Sequence, residues 1–332
     1  MDLRNKKILI VGGAGFIGHN LAIELKKCNA EVSIIDSLGI NNLESLKNNA
    51  DNLPFPVLSK NILDERLKLL SSIETYFEDA RDYDKMSRLY DKIEPEVIVH
   101  LAAVSHAGRS NKNPHTTFDH SLRTLENMLD ASKKNIKHFI YLSSSMVYGN
   151  FKENEVNEDT RCDPLGIYGA LKYAGEKIII AYNQVFNIPY TIIRPSALYG
   201  ERCISRRVGQ IFIESALHNK EIFIDGDGEE KLDFTYIKDL LSGIIQVISE
   251  PKSKNQIFNL TYGSARPILE MINILKDYFP NVVVKHKPRD SLTPIRGTLS
   301  IKKAKKLINY SPSWPLEKGY PEYIKWYKSI FS

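Results

Sequence analysis

The sequence predicts an α/β chain, a doubly wound parallel sheet carrying a smaller C-terminal α/β unit. Three observations carry that expectation. Short, near-continuous apolar runs at 7–11, 31–35, 73–77, 97–100, 138–142 and 190–194 alternate with helical patterns, as strands buried on both faces do. The first run empties into Gly12-Gly13-Ala14-Gly15 and Gly18, a strand, a glycine turn and a helix in succession. After Tyr199-Gly200 the alternation fades, and Pro, Gly and charged residues become more frequent.

The opening strand, Lys7 to Val11, leads through Gly12, Gly15, Phe16, Ile17 and Gly18 into a helical pattern that begins near His19. A tight turn needs a residue free of Cβ, and a helix N-terminus offers unpaired N–H groups to an anion. The second strand ends at Asp36, where a carboxylate can accept hydrogen bonds from adenosine ribose hydroxyls. Together these point to a nicotinamide dinucleotide. A carboxylate at that position repels a 2′-phosphate, and Ser37-Leu38-Gly39 supplies no Arg to neutralise one. The expected cofactor is therefore NAD rather than NADP.

Between the second and third strands runs a long, Asn-rich insertion at about 41–72. Its stretch 62–70 has amphipathic helical spacing and reads as a surface elaboration, with a lid near the cofactor as the alternative. Beyond Gly200 short strands at 221–224, 256–260 and 282–285 mix with helices at 208–218, 237–248, 267–278 and 301–307. The expected division is a dinucleotide-binding domain over 1–200 and a smaller substrate domain over 201–332, with some chain exchange. The smaller unit is expected over the carboxyl edge of the sheet, where doubly wound folds bind ligands.

Composition excludes several classes. The 332 residues are 42% hydrophobic, ample for a core, yet no run is long and apolar enough to span a bilayer. The charged N-terminus lacks a secretory apolar region. Three widely spaced cysteines, Cys28, Cys162 and Cys203, form no CxxC; reduced thiols in a cytoplasmic protein, without a metal site, are expected. A net charge of +5 with no basic stripe among aromatics argues against nucleic acid. Anionic small molecules fit.

The chemistry-bearing constellation is Tyr168-Gly169-Ala170-Leu171-Lys172. Four residues apart, the phenol and the ammonium share one face of a helix over 167–182. A Lys beside a Tyr, like a positive nicotinamide ring, stabilises phenolate and lowers the phenol's pKa, making it a general base for an alcohol under oxidation. Upstream, the strand 138–142 ends in Ser143-Ser144-Ser145, delivering hydroxyls to the edge where the glycine turn lies.

With those pieces in place, the chain resembles the extended short-chain dehydrogenase/reductase family, in its nucleotide-sugar epimerase/dehydratase branch, similar to UDP-glucose 4-epimerase-like members. The resemblance runs in order along nearly the whole chain: Gly12-x-x-Gly15-x-x-Gly18, Asp36, Asp79-Ala80-Arg81-Asp82, His100-Leu101-Ala102-Ala103, Ser143 to Gly149, Tyr168-x-x-x-Lys172, Arg194-Pro195, Tyr199-Gly200, Gly226-Asp227-Gly228 with Asp233-Phe234, and Asp239. It implies a Rossmann-type dinucleotide domain. Ser144 would hydrogen-bond the sugar C4 hydroxyl, Tyr168 would accept the proton, and Lys172 would hold the nicotinamide ribose. Asp79 and Ala80 would lie along the adenine. Leu101, Ala102, Ala103 and Pro195 would run beside the dinucleotide. Helices over 116–132 and 167–182 would form a dimerising four-helix bundle, so a homodimer is expected, with a tetramer as the alternative.

Three positions depart from the family pattern. Dehydratase and decarboxylase members place acids after the catalytic Ser/Thr; here stand Ser145 and Met146, which argue against water loss from C5–C6 and for chemistry limited to oxidation at C4. A Met there packs on a sugar ring. Leu232 replaces the Arg that grips the substrate pyrophosphate. Its expected substitutes are Arg206 or Arg207 with Arg296, and Lys231 lies adjacent. Finally, His120 stands where relatives carry Asn. It and His106 read as hydrogen-bonded loop or helix-face residues. The resulting expectation is an NAD-dependent nucleotide-sugar 4-epimerase. Its alternatives are a net C4 dehydrogenase of a nucleotide sugar, for example a GDP-linked one, and a non-catalytic NAD-binding sensor.

Overall fold

A computed structural model of the chain describes residues 2–40, 55–105, 107–290 and 292–331. Seven strands form one parallel sheet: β1 (Lys7–Val11), β2 (Glu31–Ile35), β3 (Glu74–Tyr76), β4 (Val97–His100), β5 (His138–Leu142), β6 (Tyr190–Arg194) and β7 (Gln256–Asn259). Their order is β7-β6-β5-β4-β1-β2-β3. The direction of winding reverses between β1 and β4, which makes the crevice at their carboxyl ends the ligand position of this architecture.

Register sets what that crevice displays. Val11 pairs with Ile35 on one side and His100 on the other, so Gly12, Asp36 and Leu101 leave the sheet side by side. His100 is level with Tyr141, and Leu142 with Ile193, which brings Ser143 and Pro195 to the same edge.

Alternation along the strands fills both faces. Ile8, Ile10, Val97, Val99, Ile140 and Leu142 belong to one buried cluster, while Leu9, Val11, Ile98, Phe139 and Tyr141 belong to another. The first face carries α1 (Phe16–Lys27) and α2 (Pro56–Leu69); the second carries α3 (Tyr83–Ile93). Next come α4 (Ala107–Lys112) and α5 (Pro114–Phe118), then a π-helical turn (Asp119–Arg123), α6 (Thr124–Ser132) and α7 (Gly166–Phe186). The continuous helix expected over 116–132 is therefore broken by one wide turn, a feature that recurs at functional sites.

The remaining helices are α8 (Val208–Leu217), α9 (Ile237–Ser249), α10 (Ile268–Tyr278), α11 (Lys302–Ile308) and α12 (Leu316–Phe331). The last has no counterpart in the sequence reading. Its buried Tyr320, Tyr323 and Tyr327 recur at helical spacing and join the first-face cluster. The strand expected over 256–260 is β7, the edge of the central sheet beside β6, so the chain returns there after entering the C-terminal part. Two-stranded pairs tie distant segments further: Leu198–Tyr199 with Thr235–Tyr236, and Glu155–Val156 with Thr298–Leu299.

Candidate active site

The glycine turn is built by close packing. Gly12 has φ +84°, and a Cβ there would lie 2.7 Å from the Ala102 backbone nitrogen; only glycine fits. A Cβ on Gly18 would lie 2.5 Å from the Gly13 Cα. The helix α1 starts at Phe16, a turn earlier than the pattern near His19 indicated, and Gly15 is its N-cap. No side chain caps that end, and its first turn holds no acid. Unfilled N–H groups and the helix dipole together form an anion site.

Beside this turn, Asp36 accepts hydrogen bonds from the Ala14 and Leu38 N–H groups, each at 2.8 Å. Burial pushes its carboxyl above the usual range, against those bonds and the nearby Arg66 charge. Asp36 lines a cavity with Gly12, Gly15, Asp79, Ala80 and the segment Leu101 to Ala103. Asp79 is held by Arg81 through Nε at 3.0 Å. His120, delivered by the π-helical turn, also lines this cavity, and burial lowers its imidazole pKa. His106 lies outside the described residues.

A cleft of about 470 Å³ adjoins this cavity, and Gly12, Gly15, Leu101 and Ala103 line both. Into the cleft the structure brings Phe16, Ile17, Gly18, Ser144, Ser145, Met146, Tyr168, Lys172, Pro195, Arg206, Arg207 and Arg296. Ser144 caps the short 3₁₀ turn Ser145–Tyr148, its Oγ accepting from Met146 N–H at 3.2 Å. Asn111 Oδ1 accepts from Ile167 N–H at 3.0 Å, which fixes the start of α7 and so the placement of Tyr168. Ser145 donates its N–H to Pro195 O at 2.9 Å.

The electrostatics differ from the simple Tyr–Lys picture. Burial raises the Tyr168 phenol, and the groups that draw it back down are Arg207 and Ser144. Lys172 Nζ instead donates to Leu142 O at 2.6 Å and lies 4.9 Å from the centre of the Tyr141 ring. Burial brings its pKa down to about 7, opposed by the charge of Glu176 one turn further on.

Glu176 belongs to a buried network behind the cleft. It accepts from Ser143 Oγ at 2.5 Å and from Arg194 at 2.9 and 2.6 Å. Arg194 also donates to Tyr148 Oη at 3.0 Å, and Tyr148 donates to Asn259 Oδ1 at 2.8 Å. Tyr148 is therefore a bracing residue. Asp233 is likewise buried away from the cleft, where it accepts from Thr261, Gly263 and Leu299.

The cationic side of the cleft has open valences. The Nε atoms of Arg207 and Arg296 are buried without a hydrogen-bond partner, and the nearest carboxylate contact of Arg296 is Glu230 at 4.0 Å. Arg206 is exposed, with its N–H on Gln210 Oε1 at 2.9 Å. Lys231 is not among the lining residues. On its short strand Leu232 turns into the cleft while the exposed Lys231 lines a neighbouring hollow with Lys152 and Thr298, as the period of two in a strand dictates.

Arg66 was not singled out at the sequence level. It lies on α2 and is 1% exposed, so this part of the insertion is built into the floor of the glycine turn rather than added to the surface. Its Nη1 donates to Ala14 O at 3.3 Å. No sequence pattern marks an Arg in an Asn-rich insertion as buried; the acceptors that bury it are carbonyls remote in sequence.

Comparison with known proteins agrees with this geometry. The family model described as the NAD dependent epimerase/dehydratase family matches residues 8–261. An uncharacterized UDP-glucose epimerase of Bacillus subtilis is 31% identical over 98% of this chain and 99% of its own length. A putative UDP-glucose 4-epimerase of Methanocaldococcus jannaschii is 31% identical over 97% and 98%. The crystal structure of a Bacillus cereus UDP-glucuronic acid 4-epimerase, in complex with UDP-glucuronic acid and NAD, superposes with a TM-score of 0.86 at 28% identity, over 97% of this chain and 99% of that one. Sequence, fold and site agree that this chain belongs to the NAD dependent epimerase/dehydratase family.

Proposed function

We propose that the protein is a nucleotide-sugar 4-epimerase that works by transient oxidation at C4. The observation that carries this reading is the placement of Ser144, Tyr168 and Lys172 in one cleft with two arginines whose Nε atoms lack partners. Relatives and structural neighbours named as 4-epimerases of UDP-glucose and UDP-glucuronic acid support it.

The residues fit NAD. The uncapped end of α1 with Gly12, Gly15, Phe16, Ile17 and Gly18 would hold its pyrophosphate, and Asp36 the adenosine ribose. Asp79 and Ala80 would flank the adenine, with Leu101, Ala102, Ala103 and Pro195 beside the dinucleotide. Tyr168 and Lys172 would hold the nicotinamide ribose. When bound, NAD supplies a reversible hydride acceptor for the sugar carbon. Tyr168 takes the O4 proton as C4 is oxidised and returns it on reduction, while Ser144 hydrogen-bonds O4. Arg207 and Ser144 favour the phenolate this requires.

Arg207 and Arg296 are the groups best suited to the sugar diphosphate, since each leaves a buried donor open; Arg206 stands at the rim. Elimination of water lacks an acid beside Ser144, where Ser145 and Met146 stand. Among the described lining residues the carboxylate is Asp290, which is exposed and tied to Leu292 N–H at 2.9 Å. The domains would divide the labour, 1–200 binding NAD and 201–332 the substrate, with β7 as the exchanged segment.

Two further assignments go with this reading. Phe118, Val185 and Phe186 expose 48%, 69% and 44% of their surfaces on α5 and α7, which supports a homodimer through these helices. Three free thiols suit the reducing cytoplasm, and no helix among the described residues is long and apolar enough to cross a membrane. The test of the activity is incubation with UDP-, GDP-, CDP- and dTDP-sugars, following product mass and NADH together. An isomer of unchanged mass without net NADH is expected; a product two hydrogens lighter with rising NADH indicates a dehydrogenase.

A further inference from the structure

Arg66 joins two parts of the site that the sequence keeps far apart. Its Nη1 donates to Ala14 O in the glycine turn at 3.3 Å, while Nε at 2.8 Å and Nη2 both donate to Arg202 O. Ala14 in turn donates its N–H to Asp36. Arg202 is clasped a second time through its own side chain. Its Nε bonds His19 Nε2 at 3.0 Å, Nη2 donates to Asn20 Oδ1 at 2.5 Å, and Nη1 donates to Glu65 Oε1 at 3.4 Å.

The held segment is strained. Arg202 and Arg206 have φ of +62° and +53°, left-handed conformations that cost a non-glycine residue of the order of 1–3 kcal/mol and persist only where surroundings enforce them. Arg206 and Arg207 follow directly into the cleft, and α8 begins at Val208. The far end of α8 also meets the insertion, where the His218 and Phe55 rings stack at 3.7 Å. The insertion thus contacts the chain before and after the Arg206–Arg207 segment, at Arg202 and at His218. A guanidinium suits this post, since three of its donors satisfy two carbonyls from different elements at once.

We infer that Arg66 is a positioning residue for anion binding: by fastening Arg202 to the glycine turn it aims Arg207 into the cleft, so that the dinucleotide turn and the diphosphate arginines form one rigid unit. This rests on the proposed reading of Arg207 as a diphosphate contact. It assigns the insertion helix α2 a part in substrate affinity.

A double-mutant cycle on NAD-loaded protein, read by calorimetric titration with UDP and in parallel with GDP, CDP and dTDP, tests it. Arg207→Ala is expected to weaken nucleoside diphosphate binding about tenfold or more. Arg66→Lys should weaken it about fivefold in the parent, but leave it unchanged in the Arg207→Ala background, because its effect passes through Arg207. Loss of thermal stability alone, with affinity intact, is what a merely structural arginine would show. If Arg66→Lys does not fold, Arg202→Gln, which drops the bonds to His19 and Asn20, carries the same cycle. The inference is overturned if Arg207→Ala weakens binding while the Arg66 or Arg202 change leaves affinity unaltered or adds in full. If Arg207→Ala has no effect, the reading of Arg207 as a diphosphate contact fails and takes this inference with it; if none of the four diphosphates binds, the nucleotide-sugar reading itself fails.

Discussion

Ser144 and Tyr168 face one cleft, one reaching it from the end of β5 and the other from the first turn of α7. Burial raises the phenol's pKa, and Arg207 and Ser144 are the groups that draw it back toward the ionised form. Replacing Tyr168 by Phe keeps the ring and removes the proton acceptor. Turnover, measured on NAD-loaded protein, should fall about 10²- to 10⁴-fold. A non-catalytic sensor would be indifferent to the change.

Lys172 gives a pH signature of stability. Its pKa is lowered to about 7 by burial, against about 10.4 for an exposed lysine. Between those values the unfolded chain binds the proton and the folded chain does not. Stability contributed through this group therefore rises with pH from about 7 toward 10. In the NAD-free protein, Tm measured across that range should climb more steeply for the parent than for Lys172→Met.

The cleft arginines and Lys231 separate cleanly. Arg296→Ala should weaken nucleoside diphosphate binding roughly tenfold or more, as expected for a charge-assisted contact in a buried site. Lys231→Ala should leave it unaltered, because that side chain lies outside the cleft. Titration of both variants in parallel checks the pair.

Gly12 tests the cofactor turn. With φ +84° and the Ala102 nitrogen 2.7 Å from the site of a Cβ, Gly12→Ala should destabilise the fold by about 1–3 kcal/mol or more. NAD should be lost from the purified protein. Thermal melts with and without added NAD give both results.

The dimer assignment has its own check. Val185→Asp on α7 places a charge on an exposed apolar face and should leave a monomer in light scattering, where the parent is expected to run as a dimer.

Much of this molecule was legible in its sequence because the signals were local. Buried strands are apolar runs, the glycine turn declares its own sterics, and Tyr168 and Lys172 share a face by spacing alone. What escaped depended on contacts between remote segments. Arg66 is buried by the carbonyls of Ala14 and Arg202, and β7 finds its place only by pairing with β6. The wide helical turn that delivers His120 leaves no spacing to read. Burial raises the Tyr168 phenol, and the cation that opposes this is Arg207, remote in sequence, rather than its helical neighbour. Lys231 is different: the alternation Lys231, Leu232, Asp233 already held the information that only one of the first two faces the cleft.

The most direct test of C4 oxidation follows an isotope. The nucleotide sugar turned over in the substrate panel, labelled with deuterium at C4, is incubated with NAD-loaded protein, and the isolated isomer is examined by mass spectrometry and NMR. The account expects the product to be inverted at C4 with the deuterium still there and no net NADH. Deuterium lost to solvent, or a label moved to another carbon, would contradict it.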